Sequence, residues 1–363
     1  MKLPSFLMSL ACLMAFPVFA QPPGNPFKSG WEPAPVGGSF AMDDHIVWCG
    51  SVIRHDDGKY YMFASRWPKK LGMSAWVTNS EVVLASSDKP GGPYRFEQVL
   101  LPARGAEYWD GRATHNPNIH RHQGEYVLFY TGIRYDFAMP ADKAPDRADY
   151  EAAWNHKRIG VATAKSPQGP WKRLDHPILE PRPGQWDGAI TSNPAAVIHE
   201  DGSVLLLYKS APVPYPARNQ NRLLSFGLAR AASIEGPYHR LNADAPLRFS
   251  DKNASVEDPY LWHADGVYQM VAKAMDSRLV PTSHGFHAWS KDGLEWKLSE
   301  PAEAYSMSWT WSDGRTVTLK KRERPQVLFE AGKPTHVAFA TTTPEGEIFN
   351  TVVEIKKASP PSR

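Results

Sequence analysis

Ser255-Val256-Glu257-Asp258-Pro259-Tyr260-Leu261-Trp262 is followed by the turn Asp265-Gly266 and then by Val267-Tyr268-Gln269-Met270-Val271. An acidic pair meets a proline, a short apolar strand follows, and the Asp-Gly turn sends the chain back into a second apolar strand. The phrase recurs. Asn116-Pro117-Asn118-Ile119 leads through Gln123-Gly124 to Tyr126-Val127-Leu128-Phe129-Tyr130. Asn193-Pro194-Ala195-Ala196-Val197 leads through Asp201-Gly202 to Val204-Leu205-Leu206-Leu207-Tyr208, and Arg324-Pro325-Gln326-Val327-Leu328 through Ala331-Gly332 to Thr335-His336-Val337-Ala338-Phe339. A first copy lacks the proline: Cys49-Gly50-Ser51-Val52-Ile53, then Asp57-Gly58 and Tyr60-Tyr61-Met62-Phe63. Copies recur roughly every 65–77 residues, longer than most repeat units, so each must be a small sheet in its own right.

A second phrase interleaves with the first. Val83-Leu84-Ala85-Ser86-Ser87 runs to Gly92-Pro93-Tyr94, Gly160-Val161-Ala162-Thr163-Ala164 to Gly169-Pro170-Trp171, and Gly227-Leu228-Ala229-Arg230-Ala231 to Gly236-Pro237-Tyr238. His287-Ala288-Trp289-Ser290 with Gly293 and Trp296 is an altered fourth copy. Two strands about an Asp-Gly type turn and two more about a Gly-Pro turn make a four-stranded antiparallel unit. Repeated radially, such units leave only short, protected edges, which predicts an all-β five-bladed β-propeller with four antiparallel strands per blade. After the fifth inner pair only Ile348-Phe349-Asn350-Thr351-Val352-Val353-Glu354-Ile355 remains. The outermost strand of that blade is therefore expected from the N-terminal segment between Pro35 and Phe40, closing the ring.

Residues 1–20 read as a secretory signal peptide: Lys2 gives the positive end, an apolar run follows, and Val18-Phe19-Ala20 supplies the cleavage site, with cleavage after Ala20. The expected location is the periplasm or the medium. Residues 21–36 form a Pro/Gly-rich leader, 37–357 the propeller as catalytic domain, and 358–363 a flexible tail. Beyond the leader no stretch is long and apolar enough to span a bilayer. The formal net charge of +3 over 363 residues, with no basic run, argues against nucleic acid as a partner. Only Cys49 follows the signal segment, so no intrachain disulfide is expected. A monomer is the expected state. Residues 67–80 and 135–157 interrupt the repeat as lids or pocket walls, the second carrying a short helix at Asp149-Tyr150-Glu151-Ala152-Ala153-Trp154.

In a propeller the first strand of each blade lines the central channel, so residues at its leading end converge on one mouth. Those residues are Asp43, Asp44, His45, Trp48 and Cys49; Trp109, Asp110, Arg112, His115 and Asn116; Trp186, Asp187, Thr191, Ser192 and Asn193; Glu257 and Asp258; and Arg322, Glu323 and Arg324. Trp109-Asp110-Gly111 with Thr114-His115-Asn116-Pro117 aligns with Trp186-Asp187-Gly188 and Thr191-Ser192-Asn193-Pro194. The aspartates of that pattern are either a structural loop device or members of a carboxylate ring. Glu257 has no turn to make, and a carboxylate on a channel strand is costly unless paired or protonated, which marks it as functional. Arg324 is its expected counter-charge or a substrate clamp. No His/Cys cluster has zinc spacing, so no metal ligand is assigned.

Glu257-Asp258-Pro259-Tyr260-Leu261-Trp262 with Gly266-Val267-Tyr268 resembles the Glu-Gly-Pro strand that carries the general acid in glycoside hydrolase family 43 and its five-bladed relatives. The resemblance implies an exported, inverting glycoside hydrolase acting on plant or algal oligo- or polysaccharides. Glu257 would be the acid, protonated near neutral pH through burial and the adjacent Asp258. The family's base begins the first strand as Asp-Pro, where this chain has Cys49-Gly50, so the base is sought at Asp43 and then Asp44. Asp187 would tune the acid. Trp48, Trp109, Asp110, Arg112, His115, Asn116, Trp186, Asn193, Asp258 and Arg324 would bind substrate. No cofactor is required; calcium in the channel enters by analogy only. Two alternatives stay open: a polysaccharide lyase on uronate-containing glycans, with His115 or His45 as base and Arg112 or Arg324 facing the carboxylate, and a non-catalytic carbohydrate-binding propeller.

Overall fold

The computed structural model describes residues 23–215, 223–249, 251 and 253–357; the expected signal segment and tail lie outside the described residues. Five antiparallel sheets follow one another along the chain. The first holds β1 (His45–Arg54), β2 (Tyr60–Pro68), β3 (Glu81–Ser87) and β4 (Arg95–Leu101). The second holds β5 (Ala113–His122), β6 (Glu125–Ile133), β7 (Lys157–Ala164) and β8 (Lys172–Arg173). The third holds β9 (Ser192–Ile198), β10 (Val204–Ser210), β11 (Ser225–Ala231) and β12 (His239–Arg240). The fourth holds β13 (Val256–Ala264), β14 (Val267–Ala274), β15 (Gly285–Ser290) and β16 (Lys297–Tyr305). A hairpin of β17 (Ser308–Thr310) and β18 (Thr316–Thr318) precedes the fifth sheet of β19 (Lys321–Glu330), β20 (Lys333–Thr342) and β21 (Ile348–Glu354). This is the five-bladed propeller that the repeat predicts.

The fifth blade differs in detail from that expectation, because its sheet has three strands rather than four. The N-terminal segment supplies the outer position through single bridges, Phe40 to Asn350 and Trp31 to Ile355, instead of a continuous strand. Pro33, Pro35, Gly37 and Gly38 interrupt the ladder there, since proline brings no N–H and glycine favours bends. The closure is reinforced by Arg322, which lies buried among Trp31, Tyr305, Trp309 and Phe339 with its guanidinium carbon 4.2–4.9 Å from the four ring centres. Those aromatic faces hold a cation that has no carboxylate partner among the described residues. One residue thus ties the N-terminal segment, the fourth blade, the extra hairpin and the fifth blade together.

The hydrophobic core is divided into seams between blades. Leu205, Leu207 and Phe226 of the third blade meet Leu261, Met270 and Phe286 of the fourth, and Phe63 and Leu84 of the first meet Leu128 and Tyr130 of the second. Strand residues alternate between faces, so each blade feeds both neighbouring seams.

Each inner strand carries a β-bulge at the same point, where Cys49, Asn116, Asn193, Asp258 and Arg324 adopt positive φ of 51–58°. These are the repeat positions read from the sequence, although the strands themselves start slightly earlier. In four of the five, proline follows, and a bulge is a place where its missing N–H costs no ladder bond. Asn and Asp tolerate this left-handed conformation, whereas Cys49 and Arg324 carry a strain of roughly 1–2 kcal/mol in it. The bulge turns each of these side chains into the channel.

Candidate active site

The five bulge residues stand in a ring around the channel, and four contacts link consecutive members from Cys49 to Arg324. Cys49 Sγ donates to Asn116 Oδ1 (2.8 Å), Asn116 Nδ2 to Asn193 Oδ1 (2.8 Å), and Asn193 Nδ2 to Asp258 Oδ1 (2.7 Å). The backbone N–H of Arg324 donates to Asp258 Oδ2 (3.2 Å), and its guanidinium Nη1 stands 3.7 Å from Asp258 Oδ1. Above this ring opens a cavity of about 250 Å³. Trp48, His115, Glu257 and Glu323, each directly before a bulge, stand around it. The two insertions build its wall: Trp67, Met73 and Trp76 from residues 67–80, and Tyr150, Trp154 and Lys157 from residues 135–157. α1 (Trp76–Asn79) carries Trp76 and α2 (Arg147–Asn155) carries Tyr150 and Trp154, the second helix capped by Asp146, whose side chain accepts from Asp149 N. The insertions are therefore pocket walls, and the short helix lies where it is expected.

Two lysine–glutamate pairs repeat with the blade symmetry. Lys209 of β10 reaches Glu257 on the next blade, and Lys273 of β14 reaches Glu323 on the blade after that, at 2.6 Å. Both lysines are buried and sit at equivalent places on second strands, opposite Ser192 and Glu257. In the first two blades the same place is held by Ser65 and Thr131, whose hydroxyls accept from the backbone N–H groups of Asn116 and Asn193.

These pairs reverse the expected electrostatics of Glu257. Burial pushes its carboxyl up, but the ammonium groups of Lys209 and Lys273 outweigh burial and hold it well below the usual carboxylate range. Glu257 is therefore ionised, not protonated, and its counter-ion is Lys209 rather than Arg324. The carboxyl that moves up is Asp258, driven by burial and then by the negative Glu257 beside it. His115 is pushed well below the imidazole range by burial and by Arg324, Lys157 and Lys209, so its ring is neutral. Its Nδ1 is buried and has no hydrogen-bond partner among the described residues. The ring lies 4.8 Å from that of Trp76.

A stability prediction follows from the carboxyl pair. Asp258 has a raised folded pKa, so its contribution is complete below the unfolded value and is lost as pH rises through the folded one. Glu257 is depressed, so its contribution is present above the ordinary value near ~4.3 and is lost as pH falls through its own low value. Thermal melts should show stability rising as pH drops from neutral toward mild acidity, then falling in strong acid. Asp258→Asn should flatten the first limb, and an unchanged limb in that variant would remove Asp258 as its source.

Several residues expected at the mouth lie elsewhere. Asp43 and Asp44 are exposed and do not line the cavity; Asp44 pairs with His45 Nδ1 at 2.7 Å. Asp187 is buried away from it, accepting from Arg182 Nε (2.8 Å), Arg240 Nε (2.6 Å) and Tyr208 OH (2.9 Å). Asp110 repeats this arrangement with Arg104 Nε (2.6 Å), Tyr130 OH (2.7 Å) and Arg173 Nη1 (3.4 Å). Trp109 and Trp186 donate their indole N–H to Leu174 O and Ala243 O, at 3.0 and 3.1 Å. The Trp-Asp-Gly repeat is thus a loop-anchoring device, and its aspartates do not ring the channel. Arg112 is turned to the carbonyl of Tyr135 (3.1 Å). Of the expected residues, Trp48, His115, Asn116, Asn193, Glu257, Asp258, Glu323 and Arg324 meet at the cavity.

Lys209 and Lys273 complete the site without having been assigned to it in advance. Lys209 had a readable signal: a lysine ending the run Val204-Leu205-Leu206-Leu207-Tyr208 must find a carboxylate if the strand is buried. The donor set does not fit calcium, which takes about six to eight oxygens, because a thiol and a guanidinium occupy two of the five ring positions. Among the described residues no group of three or more His, Cys, Asp or Glu side chains is placed to hold a metal.

Neither a family model nor a curated protein sequence matches the chain. Solved structures share its architecture. BT0996, solved as a complex with RGII, superposes with a TM-score of 0.63 at 16% identity over 94% of each protein. Zg3597, a family 117 glycoside hydrolase from the marine bacterium Zobellia galactanivorans, gives 0.62 at 17% identity over 91% of this chain and 90% of its own. The GH43_1 enzyme from Xanthomonas citri gives 0.54 at 14% identity over 91% and 92%. The fold read from the repeat is thus the fold of glycoside hydrolases of families 43 and 117, and the likeness extends across nearly the whole described chain.

Proposed function

We propose that this chain is an exported glycoside hydrolase that cleaves plant or algal oligo- or polysaccharides with inversion. One observation carries the reading: Glu257 and Asp258, adjacent on a channel strand, have environments that push their proton affinities apart at the floor of an aromatic-walled cavity. Glycoside hydrolysis needs one carboxylic acid to protonate the leaving oxygen and one carboxylate to activate water. Groups whose surroundings separate their pKa values in this way divide those roles. Asp258 is the acid in this scheme, and Glu257, kept ionised by Lys209, is the base. Trp48, Trp76 and Trp154 provide apolar faces for sugar rings, and the glycoside hydrolase folds it resembles support the class. The apolar segment ending at Ala20 supports export.

The test is turnover on plant and algal oligosaccharides, with the first-formed anomer followed by proton NMR. Release of a reducing sugar with inverted configuration is expected. Retained configuration would overturn the mechanism, and no hydrolysis of any glycan would overturn the class. The neutral, unpartnered Nδ1 of His115 favours a lyase as the second reading; an ultraviolet-absorbing unsaturated product would select it.

A further inference from the structure

The guanidinium of Arg324 is a feature of the cavity that the proposed chemistry does not use. The residue is 2% exposed, and Nε, Nη1 and Nη2 make no hydrogen bond among the described residues. Its one nearby carboxylate oxygen, Asp258 Oδ1, is 3.7 Å away, beyond hydrogen-bond reach, and already accepts from Asn193. Asp258 Oδ2 accepts the backbone N–H of Arg324, not its side chain. The other two carboxylates of the cavity are taken: Glu257 by Lys209 and Glu323 by Lys273. Buried donors are ordinarily satisfied, so three guanidinium nitrogens without a hydrogen bond on a cavity floor point to a partner from outside the chain.

The chemistry of that partner follows from charge and shape. Once the two lysine–glutamate pairs are set aside, Arg324 and Lys321 face the cavity against Asp258. The balance is cationic and favours an anion. A guanidinium presents a planar fork that matches a carboxylate through two parallel hydrogen bonds. The surrounding tryptophans suit the ring that would carry the carboxylate. We propose that Arg324 receives the carboxylate of a uronic acid, which makes the substrate of the proposed hydrolase an acidic glycan; the assignment rests on that hydrolase reading for its catalytic consequence only.

The experiment compares a uronate-bearing oligosaccharide with the same molecule carboxyl-reduced to a neutral sugar, using the full-length protein. The expected preference in kcat/KM for the acidic form is about 10²-fold, because the neutral form would leave the guanidinium donors buried and unsatisfied. Arg324→Gln and Arg324→Lys, checked for folding by thermal melts, should reduce that ratio to within about tenfold of unity. If neither variant folds, the wild-type ratio and calorimetric binding of free glucuronate against glucose decide the matter. Equal rates on the two substrates would overturn the carboxylate subsite and leave the hydrolase standing. Binding of glucuronate but not glucose, with no hydrolysis of either oligosaccharide, would sustain the subsite and overturn the hydrolase. An unsaturated product from the acidic form alone would do the same in favour of a lyase. Absence of both binding and turnover would overturn both.

Discussion

Glu257→Gln is expected to reduce turnover about 10²–10⁴-fold on natural glycans and by a similar factor on an activated aryl glycoside. The equality is the informative part. Glu257 is held ionised by Lys209 and Lys273, so in the proposed scheme it takes a proton from water, and that demand does not change with the leaving group. Asp258→Asn should lose a comparable factor on natural glycans and far less on the aryl glycoside, whose leaving group needs no proton. Lys209→Met should raise the proton affinity of Glu257 and move the acidic limb of the kcat/KM profile to higher pH. Steady-state kinetics on the two substrate types reads all three. Sparing of the aryl glycoside by Glu257→Gln would return the acid role to Glu257. Full activity in that variant would remove it from the site.

Asp187→Ala is expected to cost about 3–5 kcal/mol of stability, the usual penalty for leaving buried cations without their carboxylate. Arg182 and Arg240 both point at this one side chain, and Tyr208 donates to it as well. Asp110→Ala should behave alike, because Arg104, Arg173 and Tyr130 reproduce the cluster one blade earlier. Urea unfolding would show the loss as a lowered midpoint. In the fraction that remains folded at low temperature, kcat and KM should stay near wild type, since neither aspartate lines the cavity. A variant of Asp187 that melts normally but has lost its activity would contradict the structural role and restore the aspartate to the chemistry.

The two predictions mark where a sequence reading and a folded chain part company. Asp110 and Asp187 stand in Asp-Gly pairs shortly before a channel strand, whereas Glu257 lies on its strand directly before Asp-Pro; sequence alone left all three as candidates for the channel mouth. They separate in space because of the strand bulge. Glu257 immediately precedes the left-handed residue of its strand and is turned with it toward the channel, whereas the two aspartates fall five residues or more earlier, on the approach loop. There Arg104 and Arg182, each a few residues upstream, close the loop on them.

The sequence by itself determined the architecture. Five copies of one strand-turn-strand phrase, with proline after the bulge and glycine in the turn, leave few alternatives to a ring of five sheets, since each unit has two apolar faces and needs a neighbour on both sides. It also determined which residues ring the channel, because Cys49, Asn116, Asn193, Asp258 and Arg324 hold one place in that phrase. The tertiary structure alone decided the charges. Lys209 is 48 residues from Glu257, and Lys273 is 50 from Glu323; each pair forms only when one blade packs on the next. Proton affinity depends on such through-space neighbours and on burial, neither of which is written in the order of residues along the chain. The ionised Glu257, the raised Asp258 and the Arg324 fork without a hydrogen bond therefore come into being only when the ring closes.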